Sequence, residues 1–228
     1  MRPVFEEEGV VKFAADHLTR ALDPDRYQEA ATELSAWREL LYRLGVVGVD
    51  AARYGGAGFG NMSARLAPYS IDRGRRAFMI TGTQTGSHRS VDLAHFSVVQ
   101  SYNVKENRVA SIGQAAPSSE SLTHGAIYDI NPSIRYVFHA HAPTIWTRAE
   151  ALRIPISDST VAYGTVAMAR EVARLYRSTS LSDIRVFAMG GHEDGIIAFG
   201  KTPKETGLVL LDMLARAYAL ETEERRQR

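Results

Sequence analysis

Ile134-Arg135-Tyr136-Val137-Phe138-His139-Ala140-His141 is a short apolar run that closes on two histidines with one residue between them. It follows Asn131-Pro132, which stops whatever helix precedes it, and reads as a strand. In a strand, side chains i and i+2 share one face, about 6–7 Å apart. Two imidazoles so placed can close on one divalent ion, with a carboxylate and a third histidine completing a catalytic site from elsewhere. Composition alone gives the pair little weight. With seven histidines in 228 residues, chance supplies an H-x-H in roughly one such chain in five or six. Its meaning depends on its surroundings.

The chain length suits one large domain with a helical extension, and the 45% apolar content is enough for a proper core. Net charge is +1 with acids and bases interspersed, so no electrostatic footprint for nucleic acid stands out. Cysteine is absent, which excludes disulfides, thiolate nucleophiles and zinc-finger sites; a metal here would need histidine and carboxylate ligands. Met1 to Val10 carries three consecutive glutamates and no apolar core, unlike a signal peptide. No apolar stretch approaches the length of a membrane span. The expectation is a soluble cytoplasmic protein.

Working outward from the histidines, Phe5 to Leu22 and Tyr27 to Leu44 both carry apolar residues at helical spacing, separated by Asp23-Pro24-Asp25 with Asp25 as the candidate N-cap. The predicted organisation is an N-terminal helical extension over 1–25 and one domain over 26–228. Short strands are predicted over 62–66 and 77–81. Phe96 to Asn103 and Arg108 to Gly113 flank the turn Val104-Lys105-Glu106-Asn107 and form a hairpin. A helix should open at Pro117-Ser118 and run to about Ile130, capped by Ser118 or Ser119. Helices over 144–152, 166–177 and 203–221 and strands over 184–189 and 195–199 complete a mixed α/β domain.

Several motifs remain open on the residues alone. The glycine cluster 55–60 departs from the dinucleotide fingerprint, since Ser63 stands where a third glycine belongs and the cluster follows a helix. It is a loop that lets backbone approach a ligand, or a plain turn. Gly82-Thr83-Gln84-Thr85-Gly86 is either a turn or an anion cradle of hydroxyls and free N–H groups. Pro117-Ser118-Ser119-Glu120 reads as ordinary capping or as an anion site at a helix start. His192, taken singly, is a loop histidine, and His124, four residues after Glu120, is an interior or supporting one. All four lysines lie in polar surroundings, so none suggests a Schiff base, and no G-x-S-x-G elbow occurs.

In order, Gly60-Asn61-Met62-Ser63-Ala64-Arg65, Ile80-Thr81-Gly82-Thr83, Pro117-Ser118-Ser119-Glu120 with His124, Val137-Phe138-His139-Ala140-His141 and finally His192 resemble the class II aldolase/adducin family over roughly residues 30 to 220. The resemblance implies a three-layer α/β/α fold around a central, mainly antiparallel sheet, assembled as a homotetramer. It implies His139, His141 and His192 as ligands, normally of Zn²⁺, with Mn²⁺, Fe²⁺ or Co²⁺ as alternatives. Glu120 would be the acid/base, and Asn61, Thr81, Gly82, Ser118 and Ser119 would bind a substrate phosphate. An ion held by three neutral imidazoles keeps its full charge and can polarise a chelated hydroxy-carbonyl substrate, stabilising an enediolate. That chemistry serves aldol cleavage, epimerisation, dehydration and decarboxylation alike.

Two departures stand out. Only 22 residues separate His141 from Gly164, so the segment that carries a further catalytic tyrosine in sugar-phosphate aldolases is short here. Tyr163 is the candidate substitute, with Asp158 as the alternative. His192 is followed by Glu193-Asp194 where the family usually has glycine; these carboxylates either repel a phosphorylated substrate or face solvent, and solvent is the expectation. The leading functional reading is a metal-dependent lyase acting on a small hydroxy-carbonyl or sugar-phosphate compound. A decarboxylase, dehydratase or non-heme iron oxygenase on the same fold is the second reading, and a non-catalytic adducin-like interaction domain the third.

Overall fold

The strand that ends in the two histidines lies inside an eight-stranded sheet. A computed structural model describes residues 9–227. In chain order its strands are β1 (Ala14–Thr19), β2 (Gly48–Val49), β3 (Gly58–Phe59), β4 (Asn61–Arg65), β5 (Phe78–Thr81), β6 (Phe96–Asn103), β7 (Arg108–Gly113), β8 (Tyr136–His141), β9 (Val186–Ala188) and β10 (Gly195–Gly200). The helices are α1 (Pro24–Arg43), α2 (Ser121–Ile130), α3 (Pro143–Trp146), α4 (Val166–Ser178), α5 (Leu181–Ile184) and α6 (Pro203–Arg226). The main sheet runs β1-β7-β6-β5-β4-β8-β10-β9, and every pairing in it is antiparallel except β1 with β7. The expected mainly antiparallel α/β architecture is present.

Alternation along the strands divides the core in two. Met62, Ala64, Phe138, Ala140 and Ala198 pack on one face, which α1, α3 and α6 cover. Ile80, Val137, Ile197 and Phe199 pack on the other, beneath α2 and α4. His139 and His141 stand two and four residues beyond Val137, and therefore on the α2/α4 face. β4 pairs with β8 so that Asn61 lies beside His139. β10 pairs with β8 on its other side, bringing Gly195 opposite His141.

The helix expected over 5–22 is not what the chain forms. Residues 5–8 lie outside the described residues, and Ala14–Thr19 is the edge strand β1, paired in parallel with β7. Five of its six residues are exposed, so its apolar spacing does not report burial; pairing with the free edge of β7 overrides local helix propensity. Residues 14–19 thus belong to the sheet and not to a helical extension. Asp23, not Asp25, caps α1, accepting from the Asp25 N–H at 3.1 Å. The helix expected over 144–152 is only the short α3, followed by turns that end at Arg153. Leu181–Ile184 is helical, so β9 starts at Val186, two residues later than expected.

One residue of α1 breaks its apolar stripe. Tyr27, Ala31, Leu34, Arg38 and Leu41 form the buried face, and Arg38 is 1% exposed. Its guanidinium donates to the carbonyls of Thr85 (2.7 Å), His88 and Arg89 (3.1 Å), fastening the loop that follows β5 to the helix. Burial lowers the Arg38 pKa, and because an arginine keeps its charge in proteins the buried cation depends on these carbonyls for its solvation. Arg38→Met is expected to cost about 3 kcal/mol, because three charge-assisted bonds go and the loop loses its anchor. Thermal or denaturant unfolding checks this; a loss below about 1 kcal/mol would show that the loop holds its place without the arginine.

Candidate metal centre

Glu120 immediately precedes α2 and acts as its N-cap residue, with no side-chain capping bond of its own. Ser118 and Ser119 therefore do not cap the helix; Ser118 Oγ accepts from Glu120 N at 3.3 Å, and Ser121 Oγ donates to the Ser118 carbonyl. The free Glu120 carboxylate turns toward the sheet. Its Oε2 accepts from Asn61 Nδ2 at 2.8 Å and lies 3.0 Å from His139 Nε2. Its Oε1 is buried and has no hydrogen-bond partner among the described residues.

The loop between β9 and β10 supplies the third imidazole. His141 Nε2 lies 3.1 Å from His139 Nε2 and 3.2 Å from His192 Nε2. Gly195 allows this approach, since a Cβ there would sit 2.7 Å from His192 Cδ2. His139 Nδ1 stands 3.2 Å from the Ile196 carbonyl, an arrangement that places its proton on Nδ1 and leaves the Nε2 lone pair facing its neighbours. All three rings are at most 3% exposed.

Three inward-facing lone pairs this close repel one another unless something positive lies between them. Two metal–nitrogen bonds of about 2.0–2.1 Å at a tetrahedral angle separate their nitrogens by about 3.3–3.4 Å, close to the observed spacing. Burial holds His141 well below the ordinary histidine range and pushes His192 down to about 3, so both are neutral, as ligands must be. Burial would raise the Glu120 carboxyl, and positive charge at the adjoining His139 ring more than reverses this and holds it at about 2, so the carboxylate is ionised when a cation, that ring's second proton or a bound ion, faces it. Neutral nitrogens, an ionised carboxylate and its unpartnered oxygen fit a divalent cation. Among the described residues, His139, His141 and His192 are the group of metal-capable side chains that come together.

A cleft of about 340 Å³ opens beside the triad, lined by Asn61, Gly82, Ser118 and Ser119 together with the two glycine loops. Gly58 and Gly86 are in backbone contact across it: a Cβ on Gly86 would lie 2.4 Å from Gly58 Cα. Thr81 stands behind the cleft, its Oγ1 accepting from the Met62 N–H. The N–H groups of Gly82 and Thr83, read from sequence as free, donate to the carbonyls of His95 and Ala116. Thr85 Oγ1 also donates to the Gly82 carbonyl, so what this loop leaves for an anion is the Thr83 hydroxyl and the N–H groups of 84–86.

Tyr163 is fully buried against His192, with ring centroids 4.6 Å apart, and its hydroxyl accepts from the Val10 N–H at 3.1 Å. Asp158 is exposed, bound to Thr160, and no contact brings it to the triad. Glu193 is exposed, as expected. Asp194 corrects the solvent reading: its Oδ2 accepts from the Tyr54 hydroxyl at 2.5 Å and meets Arg53 at 3.4 Å. The Tyr54 and Phe59 rings then wall His141, with centroids 4.7 and 5.4 Å away. Sequence reasoning missed this wall, since nothing in the spacing of 53–59 relates it to Asp194. His124 is a supporting residue: it is buried, burial depresses it to about 3, and its Nδ1 lies 2.7 Å from Ser63 Oγ, which also meets Tyr128.

Residues 49–219 match the family model for the class II aldolase and adducin N-terminal domain. Solved structures share the fold. A sugar-phosphate aldolase from Thermotoga maritima superposes with a TM-score of 0.64 at 17% identity, covering 88% of this chain and 97% of that one. YgbL from Klebsiella pneumoniae, a putative aldolase/epimerase/decarboxylase, gives 0.60 at 18% identity over 86% and 90% of the two chains. An L-fuculose 1-phosphate aldolase gives 0.59 at 19% identity over 89% of each. No curated protein sequence matches significantly. At these identities the structural likeness is one of fold, whereas the family match spans most of the sequence, and the chain belongs to the class II aldolase and adducin N-terminal domain family.

Proposed function

We propose that this chain is a divalent-metal-dependent lyase that cleaves a carbon–carbon bond in a small hydroxy-carbonyl or sugar-phosphate substrate. The observation that carries the reading is the convergence of three buried imidazole nitrogens with the Glu120 carboxylate. His139, His141 and His192 would hold the ion, with Zn²⁺ the first candidate and Mn²⁺, Fe²⁺ or Co²⁺ the alternatives. When bound, such an ion polarises the carbonyl of a chelating substrate and steadies the negative charge left by bond cleavage.

The protein's own groups do the rest. Glu120 carries the proton to and from the reacting carbon. Asn61 holds Oε2, so Oε1 is the oxygen left to take the proton. Asn61, Gly82, Ser118 and Ser119 line the cleft and would orient an anionic group of the substrate there, with Thr81 holding β4 in place behind them. Tyr163, packed on His192, is the candidate hydroxyl for the proton of the leaving oxygen. Burial within the triad excludes water from the reacting atoms. By the same resemblance the working assembly is a homotetramer and its partner a small molecule; no helix among the described residues is long and apolar enough to cross a membrane.

Two measurements test this reading. Protein purified without added metal should carry one divalent ion per chain, and a screen of sugar phosphates against unphosphorylated hydroxy-carbonyl compounds should show retro-aldol turnover that chelation abolishes. A chain that takes up no divalent ion would overturn the proposal. One that binds iron and consumes oxygen would replace it with the oxygenase reading.

A further inference from the structure

Tyr54 and Asp194 join two loops at the metal centre. Tyr54 opens the glycine loop, of which Gly56, Ala57, Gly58 and Gly60 line the cleft. Asp194 closes the turn between β9 and β10 that carries His192. The Tyr54 hydroxyl donates to Asp194 Oδ2 and accepts from the Arg53 guanidinium. That guanidinium also meets Asp194 and lies over the Tyr54 and Phe59 rings, 4.8 and 4.7 Å from their centroids. The Asp194 carbonyl in turn accepts from the Ala142 N–H at 2.9 Å, directly after His141. One side-chain bond therefore links the cleft loop, the end of β8 and the turn of the third histidine.

Both partners of this bond hold a backbone conformation that costs energy. φ is +50° at Tyr54 and +62° at Asp194, in the left-handed region that glycine enters freely and a bulky aromatic side chain does not. Gly55 follows Tyr54 and Gly195 follows Asp194, yet the strained positions themselves carry a tyrosine and an aspartate. Such strain persists where surrounding contacts over-determine it, and functional sites are where it collects. Here those contacts include the hydroxyl–carboxylate bond and the edge-on packing of the Tyr54 ring against His141, with 74° between the ring planes. The hydroxyl proton is committed to Asp194, so Tyr54 does not donate it to a substrate. What it supplies is position.

We propose that Tyr54 is a positioning residue of the metal centre, whose hydroxyl bond to Asp194 sets the orientation of the His141 ring and the approach of the His192 turn. The inference rests on the metal-dependent reading above. Its test is titration of the full chain with Co²⁺, whose visible spectrum reports the number and geometry of its ligands. Tyr54→Phe keeps the ring and removes the hydroxyl; it should bind Co²⁺ about tenfold more weakly, with an altered visible band. Asp194→Ala breaks the same bond from the other side and should match it. The double variant should lose no more than either single one, because both remove one interaction. Asp194→Asn keeps an oxygen that accepts from the hydroxyl and should recover most of the affinity. A contact that served stability alone would lower the melting midpoint of the metal-free variants and leave cobalt affinity and spectrum as in wild type, which overturns the proposal. Additive losses in the double variant, or a loss in Asp194→Asn equal to that in Asp194→Ala, overturn it as well. Wild type that takes up no cobalt overturns the metal reading itself, a separate result.

Discussion

Glu120→Gln is expected to keep its metal and lose turnover by about 10²–10⁴-fold, the usual contribution of a positioned acid/base. The substitution keeps shape and volume, so Asn61 retains an oxygen to donate to, and the buried surroundings, 1% exposed, remain filled. What disappears is the group that accepts and returns a proton. In wild type a positive charge beside the carboxylate outweighs its burial and holds it ionised, which makes it a base in its resting state. An amide in its place holds no exchangeable charge. The triad nitrogens meet one another without Glu120, so metal stoichiometry should be unchanged. Metal analysis and single-turnover kinetics on the same preparation check both halves. Turnover within about threefold of wild type would remove Glu120 from the chemistry and leave Tyr163 or a bound water as the proton carrier.

The sequence disclosed those parts of the fold in which burial and periodicity coincide. The hairpin of β6 and β7 is readable to the residue, because Phe96, Val98, Val109 and Ile112 are buried and a polar turn separates the two strands. β1 is not, because an exposed edge strand has no burial pattern to show and exists only through its partner. His139 and His141 were legible from strand geometry alone, but His192 was not. Its approach depends on the β9–β10 turn and on Gly195, which only the order of motifs across the family could suggest. Arg38 left a readable signal as a cation on the apolar stripe of α1, although its three carbonyl partners did not. Tyr54 and Asp194 left none, since they wall the site through a contact between residues more than 100 apart in sequence.

His139→Ala is expected to abolish metal binding, and the effect should appear in stability as well as in composition. A ligand that binds only the folded chain stabilises it by about 2.7 kcal/mol when its free concentration is a hundred times Kd. Wild type should therefore melt higher with a divalent ion than with chelator, by roughly 5–10 °C for a chain of this size. The alanine variant removes the ring that meets both His141 Nε2 and Glu120 Oε2, and so separates the triad from its carboxylate. Two imidazoles remain, and the metal-dependent rise in melting point should vanish. Some stability would also be lost without metal, since the ring is fully buried and stands 3.2 Å from the Ile196 carbonyl. His88→Ala is the matched control: His88 is exposed and its ring meets His95 rather than the triad, so that variant should keep both the ion and the shift. Full metal occupancy in His139→Ala, with the wild-type rise in melting point, would place the ion somewhere other than this centre.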